Sequence, residues 1–281
     1  MGATTVMRPT AALFLATSLG ACSGGVDLSE PDPLATSLAD GRWVDLTHTL
    51  SEDAVFWPTA PDYEHERVAY GDSGAGYFYS SYNLHMSEHG GTHLDAPIHF
   101  ARGRQTADEI PLSNLIGLAA VVDVSEASKA DRDYLVTVAD IEGWEADHGK
   151  LPEGAIVLIR TGFDEYWPDR QAYLGTDLRG AEGVAALHFP GISQEAAHFL
   201  AEYRDIAAVG IDTASLDTGQ SSSYPAHRIL LGANIPGFEN VANLGELPAN
   251  GAMVIALPAK VAGGSGAPLR IVANIPARRG N

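Results

Sequence analysis

The sequence is poor in sulfur and in positive charge. Its 281 residues include one cysteine and four methionines, and 17 Lys and Arg stand against 36 Asp and Glu. A single cysteine permits neither a disulfide within the chain nor a cysteine-based zinc cluster. The formal net charge of −19 argues against nucleic acid as a partner, because phosphate binding needs a basic footprint. Long apolar runs are missing as well: the apolar stretch at residues 10–21 falls short of the ~20 residues that cross a bilayer. There is no Gly-x-Ser-x-Gly elbow, no Walker loop and no Gly-x-Gly-x-x-Gly after a strand, which excludes the usual serine-hydrolase and nucleotide signatures. What the chain does have is 45% hydrophobic residues, ample for a core, and ten histidines as its main soft-ligand resource.

Residues 10–21 follow Arg8, contain no acid, and match the apolar region of a secretory signal peptide. Leu19-Gly20-Ala21-Cys22 resembles the Leu-x-x-Cys lipobox of bacterial lipoproteins, and the only cysteine of the chain falls at the lipidated position. This reading divides the chain into a signal peptide (1–21), a lipid-attached linker (22–41) and a folded domain (42–276). It implies an exported protein that touches the membrane only through a lipid on Cys22.

Short apolar or β-branched runs recur at Arg42–Thr47, Phe78–Met86, Ala119–Val124, Ala155–Arg160, Ile206–Ile211, Met253–Leu257 and Leu269–Asn274. Several are near-continuous, as strands covered on both faces should be. Helical spacing appears over Thr137–His148 and over Ser193–Arg204, where Ser193 is a suitable cap. Strands alternating with helices predict an α/β class with a mixed sheet. Asp164–Ile192, polar and punctuated by Gly and Pro, reads as a long excursion from that sheet, and loops of this length are usually functional.

The densest chemistry lies at His89-Gly90-Gly91-Thr92-His93-Leu94-Asp95-Ala96-Pro97-Ile98-His99-Phe100. Gly90, Gly91 and Pro97 oppose a helix, and in an extended segment His89, His93, Asp95 and His99 share one face by parity. Two imidazoles and a carboxylate make a good mixed site for a divalent metal. A His-Glu-x-x-His zinc-protease motif would need glutamate where the chain has Gly90, so a base must come from elsewhere, and His99 is the nearest. Asp212 ends a strand run, where active-site residues of open α/β sheets gather, and is placed behind the ligands.

The 89–100 string resembles the signature of the metal-dependent cyclase family, which includes bacterial kynurenine formamidase and isatin hydrolase. Asp45-Leu46-Thr47, Leu50-Ser51, Trp57-Pro58, Gly210–Asp217 and Ile255–Pro258 fit the same family. The resemblance implies a swivelling β/β/α fold, commonly dimeric, with His89, His93 and Asp95 on a metal and His99 as acid/base. Two-metal members add a histidine and, twelve residues later, a glutamate, which His227 and Glu239 supply; Asp95 would then bridge. One or two ions, zinc or manganese, are implied. So is a small aromatic amide or cyclic amide as substrate, stacked by Trp57 and Phe100. The expected activity is that of an arylformamidase, N-formylkynurenine to kynurenine and formate, with isatin-type ring opening as the alternative. A reading from another class is a surface lipoprotein that binds metal or an aromatic without catalysis. His48, His65, His85, His148, His188 and His198 are assigned structural or surface work. Two departures from formamidases stand out. Thr59-Ala60 replaces their usual Gly-Asp, and the long Asp164–Ile192 segment resembles the isatin-hydrolase-like branch.

Overall fold

The runs at 155–160 and 206–211 are apolar almost throughout because both of their faces are covered. They form the centre of one mixed sheet in the computed structural model, which describes residues 1–2 and 33–277. Cys22 and the signal-peptide reading lie outside those residues. In chain order the first strands are β1 Arg42–Asp45, β2 Glu64–Asp72, β3 Phe78–His85, β4 His93–Asp95, β5 Ile116–Asp123 and β6 Leu135–Val136. β7 Ala155–Arg160, β8 Gly191–Ile192, β9 Ile206–Ile211, β10 Gly237–Glu239, β11 Asn250–Pro258 and β12 Gly266–Ile275 follow.

Eight of these strands order as β1-β12-β11-β5-β7-β9-β10-β4, and β4 also pairs with β12, so the sheet closes on itself. β5, β7, β9 and β10 run parallel, whereas the pairings of β1, β11, β12 and β4 are antiparallel. The α/β mixed-sheet expectation holds. Inside the closed sheet lies one core, with Leu94, Ile156, Leu158, Phe238, Ala256 and Ile271 fully buried. A second core fills the space between the parallel strands and the helices Val138–His148 and Gln194–Tyr203. Both helices begin as their sequences predict. Thr137 and Asp140 form a reciprocal capping box, and the Ser193 hydroxyl accepts from Ala196 N at 3.1 Å.

Three features differ from the sequence expectations. The run at Phe78–Met86 does form a strand, but β3 pairs only with β2, in a hairpin whose side chains are mostly exposed. Pro33–Asp40, inside the span read as linker, is helical, and Leu38 O accepts from Asn274 Nδ2 at 3.2 Å. The Asp164–Ile192 excursion is itself structured, with short helices at Arg170–Leu174 and Gly180–Ala185. Among the described residues no helix is long and apolar enough to cross a membrane.

Candidate active site

β4 lies between β10 and β12, and this places the first donors. His93 and Asp95 are two residues apart on a strand and therefore share a face. Glu239 on β10 is the cross-strand partner of His93, so the register brings a carboxylate beside an imidazole. His89 arrives from the preceding loop, where a Cβ on Gly90 would overlap the Phe56 ring and Gly91 adopts φ +61°. His99 closes the 3-10 turn Pro97–His99. Common parity in one extended segment therefore holds only for His93 and Asp95; turns bring His89 and His99 to the same place. Their rings stack at 3.9 Å.

His227 enters from the helix Pro225–Gly232, which the sequence patterning did not reveal. Asp217 orients it by accepting from Ala226 N at 2.9 Å, His227 N at 3.1 Å and His227 Nδ1 at 2.6 Å. A carboxylate at a helix N-terminus satisfies otherwise unpaired amides and complements the helix dipole.

The six side chains converge around Asp95. Its Oδ1 lies 2.6 Å from His89 Nδ1 and 3.3 Å from His93 Nε2, and its Oδ2 lies 3.1 Å from His227 Nε2. Glu239 completes the ring, with Oε2 3.3 Å from His93 Nε2 and Oε1 3.1 Å from His227 Nε2. Two overlapping donor groups result, His89–Asp95–His99 and His93–Asp95–Glu239, each with its donor atoms within 4.8 Å of one another. Asp95 belongs to both.

This arrangement fits a divalent cation on three counts. First, His93 Nε2 is buried in the middle of the cluster without a hydrogen-bond partner, although two carboxylate oxygens are near. Second, each ligand-type histidine has its far nitrogen occupied. His93 Nδ1 donates to Gly91 O (2.9 Å), His227 Nδ1 to Asp217 (2.6 Å), and His89 Nε2 to Ser265 Oγ (3.0 Å). The Ser265 hydroxyl passes its own proton toward Glu88 Oε2 at 2.7 Å. Such partners fix the tautomer and leave the inward nitrogen as a lone-pair donor. Third, the two buried carboxylates draw positive charge. Burial alone would lower the His93 pKa, but Asp95 and Glu239 raise it to about 10. Burial would likewise lower His227, yet Asp217, Asp95 and Glu239 hold it well above the usual imidazole range. Asp95 shows the converse: burial would raise it, and the three histidines hold it well below the usual carboxylate range. A divalent cation answers the same demand as those protons.

His99 is different. Its exposed ring stacks on His89 at 3.9 Å and meets Phe100 at 4.7 Å, and partial desolvation between these rings lowers its pKa to about 4. It is a neutral imidazole at pH 7.

Beside the cluster lies a cavity of about 440 Å³ whose walls include Val55, Trp57, Thr59, Ala60, Phe100 and Tyr224. Trp57 and Phe100 are both part of this lining. The Phe100 ring is 4.6 Å from that of His227. No lysine or arginine lines the cavity among the described residues.

Asp212 is buried away from the cluster. Its carboxylate accepts from Thr161 N (2.8 Å), Thr161 Oγ1 (2.6 Å) and Gly162 N (2.7 Å), bracing the turn after β7. Only its backbone reaches toward the ligands: Tyr173 Oη lies 3.1 Å from Asp212 O and donates to Asn240 Oδ1 at 2.8 Å. Asn240 in turn donates to Gly91 O at 2.8 Å. The other histidines sit elsewhere: His48 stacks on Trp167, His65 on Tyr82 and His148 near Trp144, while His85, His188 and His198 pair with carboxylates. Sequence reasoning did not single out Asp217, Ser265, Glu88, Asn240 or Tyr224. Asn240 follows Glu239 directly and Asp217 ends a segment already noted, but nothing local marks Ser265, which meets His89 across 176 positions.

The chain is similar in sequence and fold to several known proteins. Over 248 residues the chain is 33% identical to the isatin hydrolase of Roseibium aggregatum, covering 83% of this chain and 91% of the relative. It is 30% identical to the kynurenine formamidase of Salinibacter ruber, over 82% of this chain and 95% of that one. Among solved structures, isatin hydrolase A from Labrenzia aggregata bound to benzyl benzoate superposes with a TM-score of 0.78 at 36% identity. That match covers 87% of this chain and 98% of the other. An isatin hydrolase bound to the product analogue thioisatinate gives a TM-score of 0.78 at 31% identity, over 87% and 97%. The Cyclase family model matches residues 44–218, and with these relatives it shows that the chain belongs to the cyclase family.

Proposed function

We propose that this chain hydrolyses the carbon–nitrogen bond of a small, neutral aryl amide or cyclic amide, with isatin-type ring opening as the best-supported reaction. The observation that carries the choice is a cavity with aromatic walls, a His/Asp/Glu cluster at its edge and, among the described residues, no lysine or arginine in its lining. N-formylkynurenine brings an α-carboxylate, for which such a lining offers no cationic partner. A neutral bicyclic ring needs none. The relatives named isatin hydrolase and kynurenine formamidase support hydrolysis of this bond class.

His89, His93, Asp95, His227 and Glu239 would hold one or two divalent ions, and the donor set suits zinc or manganese alike. When bound, such an ion polarises the carbonyl and lowers the pKa of water from 15.7 to about 7. Hydrolysis joins a water oxygen to the carbonyl carbon and breaks the bond to nitrogen, so one proton leaves water and one reaches nitrogen. His99 is the group to carry it, since its neutral ring faces the cavity beside Asp95 and His89. Trp57 and Phe100 present ring faces and edges to an aromatic substrate. Asp217 and Ser265 hold the rings of His227 and His89 in orientation.

The test is a steady-state comparison of isatin and N-formylkynurenine with metal-reconstituted protein. Higher kcat/KM on isatin is expected. Preference for N-formylkynurenine would restore the arylformamidase reading, and metal uptake with no turnover of either would favour a non-catalytic binder. Two further parts of the reading are an export signal with lipid on Cys22, tested by mass spectrometry of the mature N-terminus, and a homodimer, tested by light scattering. The exposed Tyr70, Tyr77, Phe78 and Tyr79 of the β2–β3 hairpin are a natural surface for a second copy.

A further inference from the structure

We propose that the excursion Asp164–Ile192 determines substrate selectivity by holding the cavity wall at residues 55–60, with Arg170 and Arg179 as positioning residues. The substrate part of this inference rests on the amide-hydrolase reading above.

The wall is clamped on alternate carbonyls. Phe56 O accepts from Arg170 Nη1 at 2.9 Å, Pro58 O from Gly180 N at 2.9 Å, and Ala60 O from Arg179 Nη2 at 2.6 Å. All three donors belong to the excursion. Between those carbonyls stand Trp57 and Thr59, which line the cavity together with Ala60. The other edge of the wall is tied to the ligand string, where Phe56 bridges Gly90. The wall therefore spans the gap between the metal-type cluster and the excursion.

The excursion is packed against the wall and tied to the body. Tyr173, Leu174, Leu187 and Phe189 form a small core with Phe163, which precedes the excursion; Val55 is buried in it and Trp57 packs against it. The edge of Trp57 meets Phe189 with ring centroids 6.5 Å apart. Arg132 Nε fastens the segment to the body through His188 O at 2.7 Å, and Thr218 Oγ1 does so through Phe189 O at 2.9 Å.

Arg170 is the telling residue. Among the described residues its one hydrogen bond goes to Phe56 O, while Nε and Nη2 are buried without partners. A half-buried guanidinium with a single bond is a poor device for stability. Placing the carbonyl that precedes Trp57 gives it a purpose. Arg179 is more exposed, and besides Ala60 O it meets Asp62 Oδ1 at 3.1 Å. Neither arginine lines the cavity, so each acts through the wall.

Arg170→Gln, Arg179→Gln and the double variant provide the test, with Arg170→Lys as the conservative control. Hydrogen exchange over residues 55–62, followed by mass spectrometry, needs no substrate. It should quicken about tenfold in the double variant and stay unchanged over 206–211. With isatin, KM should rise about tenfold while kcat stays within about threefold and metal content stays at the wild-type level. Arg170→Lys should recover part of the KM change. Wild-type exchange over 55–62, or a loss confined to kcat, overturns the proposal. Should Arg170→Gln fail to fold, Arg179→Gln decides alone: about threefold changes in exchange and KM are expected, and wild-type values for both refute it. If the wild type cleaves neither isatin nor N-formylkynurenine, the functional reading fails, while the exchange measurement still judges the clamp.

Discussion

His89, His93, Asp95 and His99 come from eleven consecutive residues, whereas His227 lies 132 positions from Asp95 and Glu239 further still. The two halves of the cluster are held in different ways. In the contiguous half, His89 sits on a loop, its side chain is 21% exposed, and a distant hydroxyl backed by Glu88 fixes its ring. In the remote half both side chains are nearly buried, one on a helix whose first amides donate to Asp217 and the other on a strand registered against His93. A contiguous motif brings donors together at little entropic cost, but the loop that carries His89 does not orient it as β4 orients His93 and Asp95. Remote donors need the whole fold to meet, and secondary structure then orients them.

Breaking the shared member should have the largest effect. Asp95→Ala removes the carboxylate that faces both halves and should weaken divalent-metal affinity by at least about a hundredfold, measured by competition with a chromophoric chelator. Wild-type metal content in that variant would rule out Asp95 as a ligand. His99→Ala isolates the proton carrier: metal uptake should persist while turnover falls about 10²- to 10⁴-fold. Full turnover would remove His99 from the chemistry.

A finer comparison sets the two orienting groups against each other. Asp217→Asn should cost about 10- to 100-fold in metal affinity, and Ser265→Ala about tenfold, since the stacked His99 ring and the close backbone of Gly266 still confine His89. If Ser265→Ala is the more damaging, the loop half depends on outside support more than the remote half does on its carboxylate. The smallest effect separates fold from cluster. Arg204 beside Glu145 lowers that carboxyl to about 2, so the pair's contribution to stability is complete above the ordinary value of 4.5 and fades as pH falls toward 2. Thermal midpoints of Glu145→Gln and wild type should therefore differ near neutral pH and converge in acid. A constant difference would show that the pair does not titrate in this way.

Much of the fold could be read from the residues. Ile156–Ile159 and Ile206–Ile211 are legible as strands because burial on both faces demands unbroken apolar runs. Ser193 marks its helix because caps are local chemistry. Other elements were hidden. β10 is three residues long, too short for any periodicity, and the helix carrying His227 has only eight. β2 and its pairing with β3 were not legible either, since both faces of that hairpin are largely exposed. His227 and Glu239 came into view through family resemblance rather than spacing, and the helpers Asp217 and Ser265 were not singled out.

The sequence by itself determined the donor chemistry: which imidazoles and carboxylates exist, where glycine must allow a turn, and that one string holds most of them. Those are properties of side chains and of short backbone segments. Only the tertiary structure decided that Glu239 faces His93, that Asp217 and Ser265 steady the rings, and that an excursion grips the wall bearing Trp57. The reason is physical. These contacts depend on a sheet that closes by pairing β4 with both β10 and β12, and no local preference encodes the register of strands so distant in the chain.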